Sequence, residues 1–209
     1  KGIIELPMTD VAGAGFAVGA ALAGIRPIFI LRFQSFLWLN ASPIINHAAK
    51  SKEIFGYGAP VFIRAIASEG PSSGPIHTNC YHSPFAHMPG LPICAPMTPK
   101  EYNEIWKKYL KSDSPMLVSE HRRSYKETIE FKDEINEDSR LTLFLISASR
   151  FEVDKIREKL QKRGTKIDVF HILWLKPFIV NKKYIDSLKK TKIGLVVDST
   201  YEICSVSEH

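Results

Sequence analysis

Cysteine is scarce in this chain of 209 residues, with only Cys80, Cys94 and Cys204. An odd count at no zinc or redox spacing argues against a disulfide framework, and a reducing compartment follows as the default expectation. Long hydrophobic runs are absent too. Arg26 and Pro27 interrupt the first apolar segment and Arg32 the next, so no stretch reaches the roughly 18 residues that a membrane span needs. Nothing at the start resembles a signal peptide. A glycine-rich phosphate loop and a GxSxG nucleophile elbow are likewise missing. Charge of one sign is only mildly in excess, at +6, and its basic residues fall in scattered pairs such as Arg122-Arg123 and Lys189-Lys190 with acids close by. That pattern describes solvated helix faces, so no nucleic acid is expected as a partner and no membrane either.

What is present is ordinary globular composition, 44% hydrophobic and 24% charged, over a length that accommodates two compact α/β units. After a Gly/Ala-rich helix from about Asp10 to Gly24, residues 26–33 read as a buried strand and 36–50 as a helix carrying Ile44, Ile45 and Ala48. Residues 60–67 form a strand, and a Gly/Pro/Ser stretch over 68–90 reads as a long loop with a functional role. A short strand at 91–95, a helix from Pro99 to Lys111 with Ile105, Trp106 and Tyr109 inward, and a strand at 116–119 complete the first unit. Residues 121–140 are highly charged and read as a linker or wandering surface segment. In the second unit, strands at 141–147, 167–172 and 193–197 alternate with helices at 151–162 and 182–190. Such βαβαβ order implies a parallel sheet.

Asp10 is the residue to explain. Thr9 or Asp10 ahead of an Ala-rich helix is where a cap is expected, satisfying free amide protons and complementing the helix dipole. Gly13, Gly15, Gly19 and Gly24 follow it, but their spacing is GxGxxxG rather than GxGxxG, and close helix packing accounts for them better than a dinucleotide. His77, His82 and His87 are spaced to share neither a helix face nor a strand face, so they do not read as a metal site. Position in the long loop favours His77 and His87 for proton traffic near neutral pH, with His82 read as packed or solvated. Ser72-Ser73 reads as turn chemistry, and Phe36 by itself as a core aromatic.

The order of several segments resembles a known family. Pro7 through Ile28, then Ile45-Asn46-His47-Ala48-Ala49-Lys50, His77, and Phe85-Ala86-His87-Met88-Pro89-Gly90-Leu91 are similar to the beta subunit of thiamine-diphosphate-dependent 2-oxo-acid dehydrogenases of the pyruvate and branched-chain types. Leu141-Thr142-Leu143-Phe144 and Leu173-Trp174-Leu175-Lys176-Pro177 resemble the transketolase carboxy-terminal domain that follows in that family. The resemblance implies an α/β fold of two parallel-sheet domains. These are a pyrimidine-binding domain over 1–125, lacking its amino-terminal part, a linker over 126–140, and an incomplete carboxy-terminal-like domain over 141–209. A fragment of a longer protein is therefore expected.

The same resemblance implies an oxidative decarboxylation with acyl transfer to a lipoyl carrier. Partners would be an alpha subunit in a heterotetramer, which holds the diphosphate and Mg2+ of the cofactor, and a lipoyl acyltransferase. The expected place is the cytoplasm, or the mitochondrial matrix or plastid of a eukaryote. Asp10 falls on the family's glutamate that hydrogen-bonds the pyrimidine ring, Phe36 on the aromatic packed against that ring, and His77 on the histidine near the acyl group and the lipoyl arm. His87 falls on a second family histidine, placed with the cofactor. The segment around Tyr109, Leu110, Ser112 and Ser114 aligns with a K+ loop of some members, with Ser112 replacing an acid. Pro7-Met8-Thr9-Asp10 departs from the family's Pro-Ile-Ser-Glu, and one methylene fewer retracts the carboxyl by about 1.5 Å. A diverged transketolase-like enzyme and a noncatalytic assembly paralogue stay open as alternatives.

Overall fold

The computed structural model describes residues 2–68 and 74–208. Ser72 and Ser73, with the turn reading attached to them, lie outside the described residues. The first unit opens with α1 (Asp10–Leu22), β1 (Ile28–Leu31) and α2 (Phe36–Leu39). Small side chains give α1 a thin buried face of Gly13, Ala14, Ala17, Val18 and Ala21. A Cβ on Gly13 would meet Leu6 at 3.4 Å and Phe29 at 3.6 Å, ordinary contact distances, so this face is closely packed without requiring glycine there. Gly15 and Gly19 have nothing within 4 Å of an added Cβ among the described residues, so packing against those does not account for them.

The helix expected over 36–50 is divided in three. After α2 comes a π-helical turn at Pro43–Ala48, closed by Ala49 N donating to Ile44 O at 2.9 Å, and then α3 (Ser51–Phe55). Pro43 has no N–H to donate to the preceding turn, which is where regular α-helix stops. Then follow β2 (Phe62–Ala67), α4 (Gly74–His77), α5 (His82–Ala86), β3 (Ile93–Cys94), α6 (Pro99–Leu110) and β4 (Met116–His121). The expected long loop thus holds two short helices. Thr98 caps α6 by accepting from Glu101 N, with Pro99 in the first turn.

In the second unit β5 (Leu141–Ile146), α7 (Val153–Gln161), β6 (Ile167–Ile172), β7 (Trp174–Lys176), α8 (Lys182–Thr191) and β8 (Gly194–Val197) follow in order. The sheet β6-β5-β8 is parallel throughout, as the alternation implies. The first sheet runs β1-β2-β4-β3-β7. Its first four strands are parallel, but β7 crosses from the second unit and pairs antiparallel with β3. A strand of three residues between β6 and α8 carries no period of its own, which is why the pattern missed it. One hydrophobic cluster accordingly joins Ala14, Leu31 and Ile63 of the first unit to Phe144, Phe170 and Leu175 of the second.

The charged stretch over 121–140 does not wander. It turns through a short 3-10 helix at Arg122–Lys126, and Glu134 exchanges both backbone bonds with Val169. Asp133 accepts from His171 N and Lys183 Nζ, and Asn136 N donates to Asp168 Oδ1. Asp133, one of the charges that made the stretch look solvated, thus helps tie it to the second unit.

Candidate active site

Parallel sheets present ligands at the carboxyl ends of their strands, where loops rather than helices face the opening. At that edge the turn after β1 carries Phe33, Gln34, Ser35 and Phe36, the segment after β2 leads to His77 at the end of α4, and Arg122 follows β4. His77 lies stacked on Phe33, with ring centroids 4.1 Å apart and 16° between planes. Phe36 stands 5.6 Å from the same imidazole, and Ser35 Oγ lies 3.3 Å from His77 Nδ1. The Arg122 guanidinium covers Phe33 at 4.9 Å, and Ser68 Oγ donates to the carbonyl of His77 at 3.1 Å. Phe36 and His77, far apart in sequence, are therefore brought to one place.

The start of α1 faces the same edge. This helix packs along β1 and against α2, the element that lies beyond the carboxyl end of β1. Since the end of α1 leads through a short turn into the start of β1, its amino end points to the carboxyl edge. Asp10 opens the first turn there rather than capping it. Thr9 holds the N-cap position but makes no side-chain cap, its hydroxyl donating instead to Pro7 O at 3.2 Å. Asp10 is half-buried, and its carboxyl has no side-chain partner among the described residues. His87 is exposed, just past the end of α5.

Sequence reasoning passed over His82, and the structure makes it the most heavily engaged histidine near this site. It is fully buried, with Nε2 2.8 Å from Asp198 Oδ2 and Nδ1 2.9 Å from Ser119 Oγ and 3.1 Å from Cys80 Sγ. Burial disfavours the imidazolium, but Cys80 and Asp198 outweigh it and hold the pKa well above that of an ordinary histidine. Gln34, also missed, donates to Ala65 O and Ser119 Oγ and accepts from Tyr81 N at 2.6 Å. No local signal marks either residue, because their partners lie in distant segments.

Some groups do not fit the chemistry looked for. The carbonyls of Tyr109 and Ser112 accept from Arg26 at 3.1 and 2.6 Å, so that loop already has its cation and does not fit K+. Among the described residues no cluster of three or more His, Cys, Asp or Glu is placed to hold a metal ion. A cavity of about 530 Å³ lies in the second unit, lined by Phe144, Ile172, Phe178 and Tyr184, with Ala86 of the first unit at its margin. Its one charged lining group, Lys176, donates to Ala86 O at 2.7 Å, and most of the remaining wall is apolar. Cys94 is buried, which pushes its thiol pKa well up and leaves it inert. No helix among the described residues is long and apolar enough to cross a membrane.

Comparison with known proteins places these features in a family. Residues 1–128 match the family described as transketolase, pyrimidine binding domain. The chain is 28% identical to the 2-oxoisovalerate dehydrogenase subunit beta of Bacillus subtilis, the match covering 99% of this chain and 67% of that one. It is 30% identical to the mitochondrial pyruvate dehydrogenase E1 component subunit beta of Homo sapiens, covering 81% and 45%. Most of the first curated relatives are thus matched over less than two thirds of their length. Among solved structures, one described as a split gene transketolase, inactive beta4 tetramer, superposes with a TM-score of 0.79 at 16% identity over 98% of this chain and 68% of that one. The transketolase of Campylobacter jejuni gives 0.76 at 19%, over 96% and 33%. At such identity the likeness concerns the fold alone, and that fold is the α/β arrangement described above.

Proposed function

This chain belongs to the transketolase pyrimidine-binding domain family, and from that membership we propose that it is the beta-type subunit of a thiamine-diphosphate-dependent 2-oxo-acid dehydrogenase. The observation that carries the reading is the meeting of Phe36, His77 and Ser35 at the carboxyl edge to which α1 points Asp10. A free carboxyl, an aromatic face and an imidazole form a donor set that suits an aminopyrimidine. When bound, thiamine diphosphate supplies the nucleophilic carbon and the electron sink that decarboxylation of a 2-oxo acid requires.

The residues of this chain then have separate tasks. Asp10 would hold a proton against a ring nitrogen, the half-buried setting keeping that hydrogen bond strong. Phe36 would pack on the ring and exclude water from it. His77 would move a proton at the acyl group as it passes to a lipoyl carrier. Ser35, with its hydroxyl 3.3 Å from Nδ1, would orient the ring and leave Nε2 for that work. His87, exposed just past α5, would lie with the cofactor on the strength of the family resemblance. The diphosphate and Mg2+ would be held by an alpha-type partner in a heterotetramer, and a lipoyl acyltransferase would receive the acyl group. We place the enzyme in the cytoplasm, or in the mitochondrial matrix or plastid of a eukaryotic host. Residues 1–125 form the pyrimidine-binding domain and 141–209 the carboxy-terminal-like domain in this reading, joined by 126–140.

The test is to co-express an alpha-type chain, supply thiamine diphosphate and Mg2+, and compare decarboxylation by the native protein, Asp10→Glu and Asp10→Ala. The native chain should turn over and Asp10→Ala should fall by about 10²–10⁴, the usual worth of a positioned proton-transfer group. Asp10→Glu, with the longer reach, should be at least as active as the native chain. Equal inertness of native and Ala variants, with activity only in the Glu variant, would overturn the catalytic reading.

A further inference from the structure

The segment after β8 lies on the segment that follows His77, and every polar or aromatic link it makes there falls within five residues. Asp198 meets His82 at 2.8 Å, and Thr200 Oγ1 accepts from Ser83 Oγ at 3.2 Å. Tyr201 stacks on Tyr81 with centroids 5.9 Å apart, and its hydroxyl donates to Asn79 Oδ1. Val206 N donates to Ser83 Oγ at 3.3 Å. The two sides are separated by 116 to 123 residues in sequence. Loop contacts between units are ordinarily scattered and solvated, whereas these converge on Asn79–Ser83 and include a buried charge pair. Burying such a pair carries a desolvation cost that apolar side chains of the same size would avoid. A pair kept under that cost holds a particular geometry, since it is satisfied in one arrangement only.

The network does not stop at His82. With its imidazole charged, Nε2–H donates to Asp198 and Nδ1–H is directed at Ser119 Oγ, which also accepts from Gln34 Nε2 at 2.8 Å. Gln34 Oε1 returns to the same segment by accepting from Tyr81 N. Gln34 stands between Phe33, on which His77 stacks, and Ser35, to which His77 bonds. A closed chain of hydrogen bonds therefore surrounds the mount of His77, with one anchor in the second unit.

We propose that the segment from Asp198 to Val206 is a clamp that sets the position of His77, with the buried His82–Asp198 pair as its pin. Asp198, His82 and Gln34 are then positioning residues for a site whose reacting groups lie in the first unit. The inference rests on the role given to His77 under the proposed function, and it adds that the second unit governs the site by contact.

Four variants test it in the enzyme assembled with its alpha-type partner, by hydrogen exchange and by steady-state kinetics. Asp198→Asn should raise amide exchange over residues 74–86 by about tenfold, the loss of a buried charged hydrogen bond read as local opening, while strands β5 and β6 keep their protection. Turnover should fall by up to about a hundredfold, as for a misplaced reacting group, with the substrate KM little changed, and Asp198→Glu should recover part of it. Tyr201→Ala leaves the buried pair intact and should raise exchange over the same residues by a smaller factor. If Asp198→Asn does not fold, Tyr201→Ala decides. Unchanged exchange over 74–86 in the folded variants, or a rise shared equally by β5 and β6, overturns the clamp. Exchange reads the clamp whether or not His77 acts in turnover. Loss of protection in Asp198→Asn beside full activity of His77→Ala would therefore leave the clamp standing and remove the proposed role of His77.

Discussion

His171 shows at the scale of one residue what burial does to a titratable group. It lies on β6, stacked on Phe131 at 4.8 Å, and its buried Nδ1 has no hydrogen-bond partner among the described residues. Burial, reinforced by the Arg150 charge, lowers its pKa from 6.5 to about 4. Between those two values the unfolded chain binds a proton that the folded chain refuses, so stability is lost as pH falls from 6.5 to 4, by up to about 1.4 kcal/mol per pH unit. Replacing His171 with Phe, which can keep the stack, should flatten that part of the curve of urea midpoint against pH; an unchanged slope would show that other groups set it. Neither this histidine nor His82 could be told from a solvated one in the sequence, because a single residue carries no record of its burial. His77 was legible only through its place in a long irregular stretch and through the family resemblance. For Asp10 the local pattern pointed to capping, and the structure leaves its carboxyl without a side-chain partner among the described residues.

At the scale of the element, periodicity served where segments were long and failed where they were short. The helix Pro99–Leu110 and the strand Ile167–Ile172 lie where their patterns put them, because each buries one face or both over six residues or more. The π-helical turn at Pro43–Ala48 and the strand Trp174–Lys176 do not announce themselves. Six and three residues give no full period, and their form depends on what packs against them. Gly90 packs against the first of these. It has φ of +76°, and an added Cβ would sit 2.1 Å from the carbonyl oxygen of Ala49, just past the π-helical turn. Gly90→Ala should therefore destabilise the protein by more than the roughly 1–3 kcal/mol of a strained residue alone, read as a lowered urea midpoint. Gly164 has a comparable φ of +69° but open space for a Cβ. Its Ala variant should cost less, and equal losses at both positions would contradict the steric argument.

Across the whole molecule the two units are held as one body. Arg150, only 1% exposed at the side chain, reaches from the second unit to Glu101 at the start of α6 with bonds of 2.9 and 2.5 Å from its two terminal nitrogens. Its guanidinium also lies 4.7 Å from the Phe131 ring. Glu101→Gln would leave that charge buried without its counterion and should lower stability by about 3–5 kcal/mol. Disrupting the exposed pair Lys182–Asp186 should move the urea midpoint hardly at all, and a similar response to both changes would refute the burial argument. The alternation of strands and helices, the parallel second sheet and the run of family motifs are properties of the sequence by itself, since each rests on neighbours within a few residues. Which distant groups meet was decided only by the tertiary structure: β7 completing the first sheet, Gln34 against Tyr81 and Ser119, and Asp198 against His82. Those meetings depend on how separately formed elements pack, and packing across a hundred residues leaves no periodic trace in the chain.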